Sequence, residues 1–315
     1  MGAAIEVGMS AEVAHGDGRD LADELDRLEA LGCDLAEIPL IALCVIAGGR
    51  ILPGPTSRLV AACAGRPLAY SVHAAIGLNF MGEPEHLRLQ FDVAVASFDV
   101  AARIGARHVV MHTGFCRADA PDIEDRYARQ REWLARLGLE AQARDCTICV
   151  ENIFPFEPDH HTASPSRLAR EIAAIGHEHV RATLDVSHGF LHAGACGGDP
   201  LAEALALARV SRHVHLHDSF GRPGGDVLGL FAGGARRVRP GRSPPPARLG
   251  GDPLRRSDAR GALRARDGVR DRAAVELPRG GGADAPSGAR AGVGGFARRL
   301  RKATASFQPS INLVG

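Results

Sequence analysis

The sequence has almost no excess of charge, few aromatic residues and no long apolar run. Its 315 residues include 38 lysines and arginines against 37 aspartates and glutamates, and aromatic residues make up 4% of the chain. This balance of charge removes the general electrostatic reason to expect binding to nucleic acid or to an anionic membrane. Because no run of about 18 apolar residues occurs, we expect no membrane-spanning helix.

The N-terminus also lacks the basic stretch, apolar run and cleavage site that are typical of a secretory signal. The seven cysteines are odd in number and scattered along the chain. Cys146 and Cys149 form a C-x-x-C pair, but the residues around them are typical of a strand interior, which argues against a redox pair or a zinc knuckle. We therefore expect reduced cysteines and a cytoplasmic location.

What the sequence does contain is a regular alternation of strand-like and helix-like segments up to about residue 220. Hydrophobic residues make up 45% of the chain, which is enough for a sizeable core. The predicted strands are residues 3–8, 35–40, 68–73, 106–112, 147–151, 181–184 and 213–218, and the predicted helices are residues 20–31, 59–64, 85–104, 123–144, 168–175 and 201–208. Such alternation predicts stacked βα units around a parallel sheet.

Two α/β folds compete for this pattern, an open doubly wound sheet and a closed (β/α)8 barrel. No Gly-x-Gly-x-x-Gly motif follows the first strand, so the main signature of a dinucleotide-binding sheet is missing. Polar residues mark the ends of five successive strands: His73, His112, Glu151, Asp185 and His215. An open sheet collects its ligands at one switch point, whereas a barrel brings every strand end to one mouth. The pattern therefore favours the barrel.

The segment from Arg181 to His188 is central to the functional interpretation. Asp185 lies where a short buried strand ends, and His188 follows three residues later. A carboxylate and an imidazole at this spacing can point toward one divalent metal ion. The alternative is that Asp185 only caps the next helix and that His188 is a surface residue.

Six residues at equivalent strand ends form the candidate metal site. They are Glu151, Asp185, His188, His215, His112 and His73. Seven other histidines are interpreted as ordinary packing or loop residues: His86, His108, His160, His161, His177, His179 and His192. Glu37 is expected to be an inward-facing or strand-end carboxylate and is not assigned to the site.

Four motifs carry a specific family resemblance. In chain order they are His-Val-Val-Met-His-Thr-Gly (108–114), Ile-Cys-Val-Glu-Asn (148–152), Leu-Asp-Val-Ser-His (184–188) and Val-His-Leu-His-Asp-Ser (214–219). Together they resemble the successive strand-end motifs of the xylose-isomerase-like TIM barrel superfamily, over roughly residues 1–225. That superfamily joins sugar or sugar-phosphate isomerases and epimerases to abasic-site nucleases of the endonuclease IV type.

The resemblance implies roles for the individual candidates. Glu151, Asp185 and His215 match the shared metal ligands. His188 matches a histidine that binds a second metal in the nuclease and contacts substrate in the epimerases. His73 and His112 match positions that bind further zinc ions in endonuclease IV. The implied cofactor is a divalent ion (Mn, Zn, Mg or Co), with one to three ions in the site.

The function that this resemblance implies is a metal-dependent sugar or sugar-phosphate isomerase or epimerase. The ion would polarise a carbonyl and its neighbouring hydroxyl and stabilise an enediolate, with Glu151 and His188 as catalytic residues. The alternatives are a zinc-dependent abasic-site endonuclease and a non-catalytic metal-binding barrel. Because the barrel portion has no basic cluster near its strand-end loops, we expect a small polyhydroxy carbonyl substrate and no nucleic acid. Oligomerisation is left open.

The pattern fails after about residue 226. Arginine, glycine, proline and alanine dominate residues 226–315, where the resemblance requires an eighth strand ending in glutamate and an Asp-x-His loop. We expect residues 1–225 to form the metal-binding barrel and 226–315 to be an irregular or disordered tail. The barrel would then be incomplete, with unpaired edges on its first and seventh strands, and the chain poorly stable and weakly active or inactive.

A second interpretation of this tail is an out-of-frame translation of a GC-rich gene. Re-read one base later, the codons permitted by residues 242–253 allow Asp-Leu-His-Leu-Pro-Pro-Gly-Trp-Gly-Gly-Ile-Pro, which resembles the missing loop. Residues 271–273 likewise allow Ile-Glu-Leu, which resembles the missing strand. The nucleotide sequence tests this hypothesis directly.

Overall fold

Eight parallel strands form a closed barrel in the computed structural model, which describes residues 6–217 and 312–314. In spatial order the barrel strands are β1 (Val7–Ser10), β2 (Leu35–Pro39), β5 (Ala69–His73), β6 (His108–His112), β8 (Thr147–Glu151), β10 (Val180–Asp185), β11 (Ser211–His215) and β12 (Asn312–Val314). Parallel pairing joins each strand to the next, so all carboxyl ends lie at one rim.

Seven helices connect the strands of the described part of the chain. They are α1 (Leu21–Ala30), α2 (Pro53–Cys63), α3 (Pro84–Arg103), α4 (Ile123–Gln142), α5 (Pro165–Ile175), α6 (Val186–Cys196) and α7 (Pro200–Ala208), and a 3₁₀ turn covers Leu40–Ala42. Four of the helices begin with proline, whose fixed φ suits the first turn. Ser164 and Asp199 cap α5 and α7 by accepting backbone N–H bonds.

The core lies between the strands and the inner faces of the helices. Ile148, Cys149 and Val150 of β8 are fully buried, as expected for a parallel strand that is covered on both faces. The periodic leucines 21, 25 and 28 of α1 are also completely buried. Each such side chain contributes about 1.5–3 kcal/mol relative to an exposed one.

All seven cysteines are free thiols. Both members of the C-x-x-C pair are buried, at 1% exposure for Cys146 and 0% for Cys149. Burial raises the pKa of the Cys149 thiol and raises that of Cys146 to about 12. Since the thiolate is the reactive form, this pair is poorly suited to redox chemistry or metal binding.

The prediction of a (β/α)8 barrel with seven recognisable strands before residue 225 is confirmed. The expectation of unpaired edges on the first and seventh strands is wrong, because β12 pairs with both β1 and β11. Its register matches Val7 with Leu313 and His215 with Val314. This closing strand has only three residues and brings no helix of its own within the described residues, so the eighth βα unit is incomplete.

Residues 218–311 lie outside the described part of the chain, and both out-of-frame segments (242–253 and 271–273) fall there. The division of the chain into a barrel and a tail at residue 225 stays a prediction.

Two short antiparallel strand pairs in the loops were not predicted. β3 (Ile46–Ala47) pairs with β4 (Arg50–Ile51), and β7 (Phe115–Arg117) pairs with β9 (His160–Thr162), both antiparallel. Two or three residues are too few for an alternating hydrophobic pattern to stand out. Among the helices described, none combines the length and the apolarity that crossing a bilayer requires.

Candidate metal centre

The carboxyl ends of the barrel strands bring all six predicted site residues together. His73, His112, Glu151, Asp185 and His215 are the last residues of their strands, and His188 lies in the first turn of α6. Because parallel strands of a barrel end at one rim, residues distant in sequence become neighbours there. All six side chains therefore contribute to one continuous cluster.

Glu151 is the hub of this cluster. Its carboxylate lies 3.1 Å from His73 Nε2, 3.5 Å from His112 Nε2, 3.1 Å from His188 Nδ1 and 3.2 Å from His215 Nδ1. Burial alone would raise the pKa of Glu151, but the surrounding imidazoles, His215 first among them, hold it well below the usual range. The hub therefore stays ionised although it is only 1% exposed.

Asp185 has a separate task for each carboxylate oxygen. Its Oδ1 accepts the backbone N–H of His188 at 2.7 Å and so caps α6. Its Oδ2 lies 2.8 Å from His217 Nε2, 3.4 Å from His188 Nδ1 and 3.6 Å from His215 Nδ1. Capping and cluster membership are thus both true of Asp185. The alternative that placed His188 on the surface is wrong, since its side chain is only 14% exposed.

The cluster divides its histidines into protonated and neutral ones. Burial alone would lower the pKa of His188, but Asp185 and Glu151 raise it to about 9. The pKa of His215 is raised well above its usual value because Glu37 and Glu151 outweigh its burial. Burial instead lowers the pKa of His112 to about 3, because Glu151 alone opposes it. In the metal-free protein, imidazolium groups therefore balance the buried carboxylates.

Sequence reasoning left Glu37 out of the site, although it lies directly below His215. The Glu37 carboxylate accepts from Ser71 Oγ at 3.1 Å and lies 2.9 Å from His213 Nε2 and 3.2 Å from His215 Nε2. His213 and His217 were also not assigned to the site. An available signal was alternation, because His213 and His215 fall on one face of β11 and His217 follows the strand at the same spacing.

Asn152 was also not predicted as a site residue, although it fixes the spacing of β8 and β10, which carry two of the candidate ligands. Its side-chain amide donates to the Asp185 carbonyl at 2.9 Å, and its side-chain oxygen accepts the Asp185 N–H at 2.9 Å. The side chain is completely buried. This reciprocal pair ties the end of β8 to the end of β10 and so holds Glu151 beside Asp185.

The donor chemistry fits a divalent transition metal. Four sets of three donors have all their ligand atoms within 4.8 Å of one another: Glu151/Asp185/His215, His73/His112/Glu151, Asp185/His188/His217 and Glu37/His213/His215. Carboxylate oxygen with imidazole nitrogen suits Zn, Mn or Co. Within the described chain, the ionic partners of Glu37, Glu151 and Asp185 are all histidines. A metal ion can replace the protons that those histidines carry.

Comparison with known protein families gives one match that covers most of the chain. The profile described as "Xylose isomerase-like TIM barrel" matches residues 21–255. No curated protein matches the chain. The matched range contains every residue of the cluster and extends beyond residue 225 into the arginine-rich segment.

Several solved structures share the fold at low sequence identity. A D-tagatose 3-epimerase-like protein is 19% identical with a TM-score of 0.55, and the alignment covers 69% of this chain and 78% of that one. D-psicose 3-epimerase from Clostridium cellulolyticum H10, solved with D-tagatose, is 14% identical with a TM-score of 0.53, covering 68% and 73%. The TTHB071 protein of Thermus thermophilus, soaked with ZnCl2, is 22% identical with a TM-score of 0.50, covering 69% and 79%.

Proposed function

Because the chain belongs to the xylose isomerase-like TIM barrel family, we propose that it is a divalent-metal-dependent sugar or sugar-phosphate isomerase or epimerase. The observation that carries the proposal is the donor set of Glu151, Asp185 and His215 at three neighbouring strand ends. Its fold neighbours include a D-tagatose 3-epimerase-like protein and a D-psicose 3-epimerase, which supports a small polyhydroxy carbonyl substrate.

Glu151, Asp185 and His215 would hold the ion that the reaction needs. When bound, a divalent ion (Mn, Zn, Mg or Co) would polarise the carbonyl and its neighbouring hydroxyl and stabilise the charge of an enediolate. The buried carboxylates supply the negative charge that such an ion requires, and Asn152 keeps the two ligand-bearing strands at a fixed distance.

Glu151 and His188 are the groups we assign to proton handling. Glu151 is held ionised, so it can accept a proton from the carbon next to the carbonyl. His188 carries a proton near neutral pH and lies at the mouth with its Nδ1 3.1 Å from Glu151. It is suited to donate a hydrogen bond to a substrate oxygen.

A second candidate function rests on the donor set of His73, His112 and Glu151. This set would let the site hold more than one ion, and clustered zinc suits the activation of water for phosphodiester hydrolysis. Abasic-site cleavage is therefore the alternative activity, and a non-catalytic metal-binding barrel is the third.

The test is a metal-free preparation reloaded separately with Mn²⁺, Co²⁺, Zn²⁺ or Mg²⁺ and incubated with a panel of ketoses and aldoses in D2O. The expected result is deuterium incorporation next to the carbonyl, with epimer or isomer formed. Because the sequence shows no eighth strand ending in the glutamate that the resemblance requires, we expect slow turnover. Cleavage of an abasic oligonucleotide without sugar exchange would favour the nuclease. Metal binding with neither activity would favour the non-catalytic barrel.

A further inference from the structure

His215 stands between two sets of carboxylates. Its Nδ1 lies 3.2 Å from Glu151 Oε1 and 3.6 Å from Asp185 Oδ2, on the side of the proposed metal centre. Its Nε2 faces the barrel interior, 3.2 Å from Glu37 Oε1 and 3.3 Å from Glu37 Oε2. The imidazole ring thus connects the rim to a carboxylate that lies beneath it.

A metal-binding imidazole must offer a lone pair on one nitrogen and keep its proton on the other. Glu37 accepts hydrogen bonds and, when ionised, has none to donate, so it keeps a proton on Nε2 of His215. Nδ1 faces the carboxylates of Glu151 and Asp185, and an ion held there would replace the proton on this nitrogen. The orientation of the ring and the position of its remaining proton then follow from the contact with Glu37.

Glu37 is itself held in place by two further donors. Ser71 Oγ donates to Oε2 at 3.1 Å, and His213 Nε2 lies 2.9 Å from the same oxygen. His213 Nδ1 is buried and has no hydrogen-bond partner among the described residues, so His213 places its proton on Nε2 and donates to Glu37. The carboxylate is 2% exposed, and its position is determined from three sides.

We propose that Glu37 is the positioning residue of the metal centre, which orients His215 so that Nδ1 binds the metal. The inference rests on the proposed metal site, and it assigns a role to a residue outside the three ligands. Glu37 contacts neither substrate nor ion in this role. It acts through the ring of His215, as carboxylates behind metal-binding histidines do in general.

The first test measures metal affinity by competition with a chromophoric chelator. Glu37→Gln keeps the size of the side chain but loses its charge, and we expect the affinity for Zn²⁺ or Co²⁺ to fall about 10–100-fold. Ser71→Ala is the matched control, because it removes another hydrogen bond to the same carboxylate without touching His215. We expect it to change the affinity less than Glu37→Gln does, because the contact between Glu37 and His215 remains.

The second test needs no variant and reports on the ring itself. In zinc-loaded protein with 15N-labelled histidine, long-range 1H–15N spectra should place the His215 proton on Nε2 and the metal on Nδ1. Coordination through Nε2 would overturn the proposal even if Glu37→Gln fails to fold.

Metal binding without sugar isomerisation would refute the proposed function but not the role of Glu37. An unchanged affinity in a folded Glu37→Gln protein would remove the role of Glu37 and leave the function standing. If the wild-type protein binds none of these ions, both the proposed function and the role of Glu37 are refuted.

Discussion

Asp185→Asn separates the two tasks of Asp185, which a sequence pattern cannot do. Asparagine caps helices about as well as aspartate, so the introduced side chain can keep the bond from the His188 N–H that begins α6. It loses the negative charge on the oxygen that faces His215 and His217. We therefore expect the substitution to preserve the fold and to impair metal binding.

The size of the effect follows from binding linkage. At a metal concentration of 100 times Kd, the ion adds about 2.7 kcal/mol of stability. In a domain of this size, 1 kcal/mol corresponds to about 2–4 °C, so wild-type Tm should rise by about 5–10 °C. Loss of a supporting residue behind a ligand costs about 10–100-fold in affinity, so loss of a ligand itself should cost at least about 100-fold. At the same metal concentration, Asp185→Asn would then gain only about 0.4 kcal/mol, or about 1 °C.

The assay is thermal unfolding of chelator-treated protein with and without added Mn²⁺, Co²⁺ or Zn²⁺, and the readout is the metal-induced change in Tm. Asp185→Ala serves as the comparison, because it loses the cap as well and should cost about a further 1 kcal/mol with or without metal. If metal raises the Tm of Asp185→Asn as much as that of wild type, Asp185 is a capping residue and not a ligand.

Three further substitutions test the fold, one beside the site and two at a distance from it. Asn152→Ala removes both hydrogen bonds between the ends of β8 and β10 and leaves buried backbone groups unpaired. We expect the free energy of unfolding, measured in urea, to fall by about 2–4 kcal/mol, and a fall of less than about 1 kcal/mol would contradict this. Gly138→Ala gains about 1 kcal/mol of helix propensity, but the new Cβ would lie 2.9 Å from His177 and Val180. We therefore expect the free energy of unfolding to fall by up to about 2 kcal/mol, and a more stable variant would refute the packing argument. Burial lowers the pKa of His108 to about 4, below the value near 6.5 of an unfolded chain. The unfolded state therefore takes up this proton first, and up to about 3 kcal/mol of stability present above pH 6.5 is lost as the pH falls to 4. The pH dependence of unfolding of His108→Asn against wild type measures this contribution, and identical slopes would refute it.

The strand ends of the barrel could be predicted because their signals are local. β8 has the predicted bounds, Thr147–Glu151, since a short apolar run ending in a charged residue identifies both the strand and its end. The predicted strand at 106–112 begins two residues later in the structure, at His108, and ends at the same histidine. The predicted helices 85–104 and 201–208 start within one residue of the prolines that begin α3 and α7, but the helix predicted at 59–64 begins six residues earlier, at Pro53. Helix α6 was not predicted, because it follows Asp185 directly with no intervening loop.

Pairing between distant segments was not readable in this way. The contact between Glu37 and His213 joins residues 176 positions apart, and the sequence around each of them is that of an ordinary strand. The pairing of β12 with β1 and β11 likewise depends on which segment reaches the open position of the barrel. A three-residue strand is too short to show the hydrophobic periodicity from which a strand could be predicted.

The amino-acid sequence by itself determined the order of seven barrel strands and six helices and placed a polar side chain at five strand ends, because hydrophobic periodicity and helix starts depend on near neighbours. Only the tertiary structure decided which of those side chains share one carboxylate, and that Glu37 lies behind His215 while Glu151 lies in front of it. Closure of the barrel sets these distances, and closure depends on the packing of the whole sheet and on no single segment.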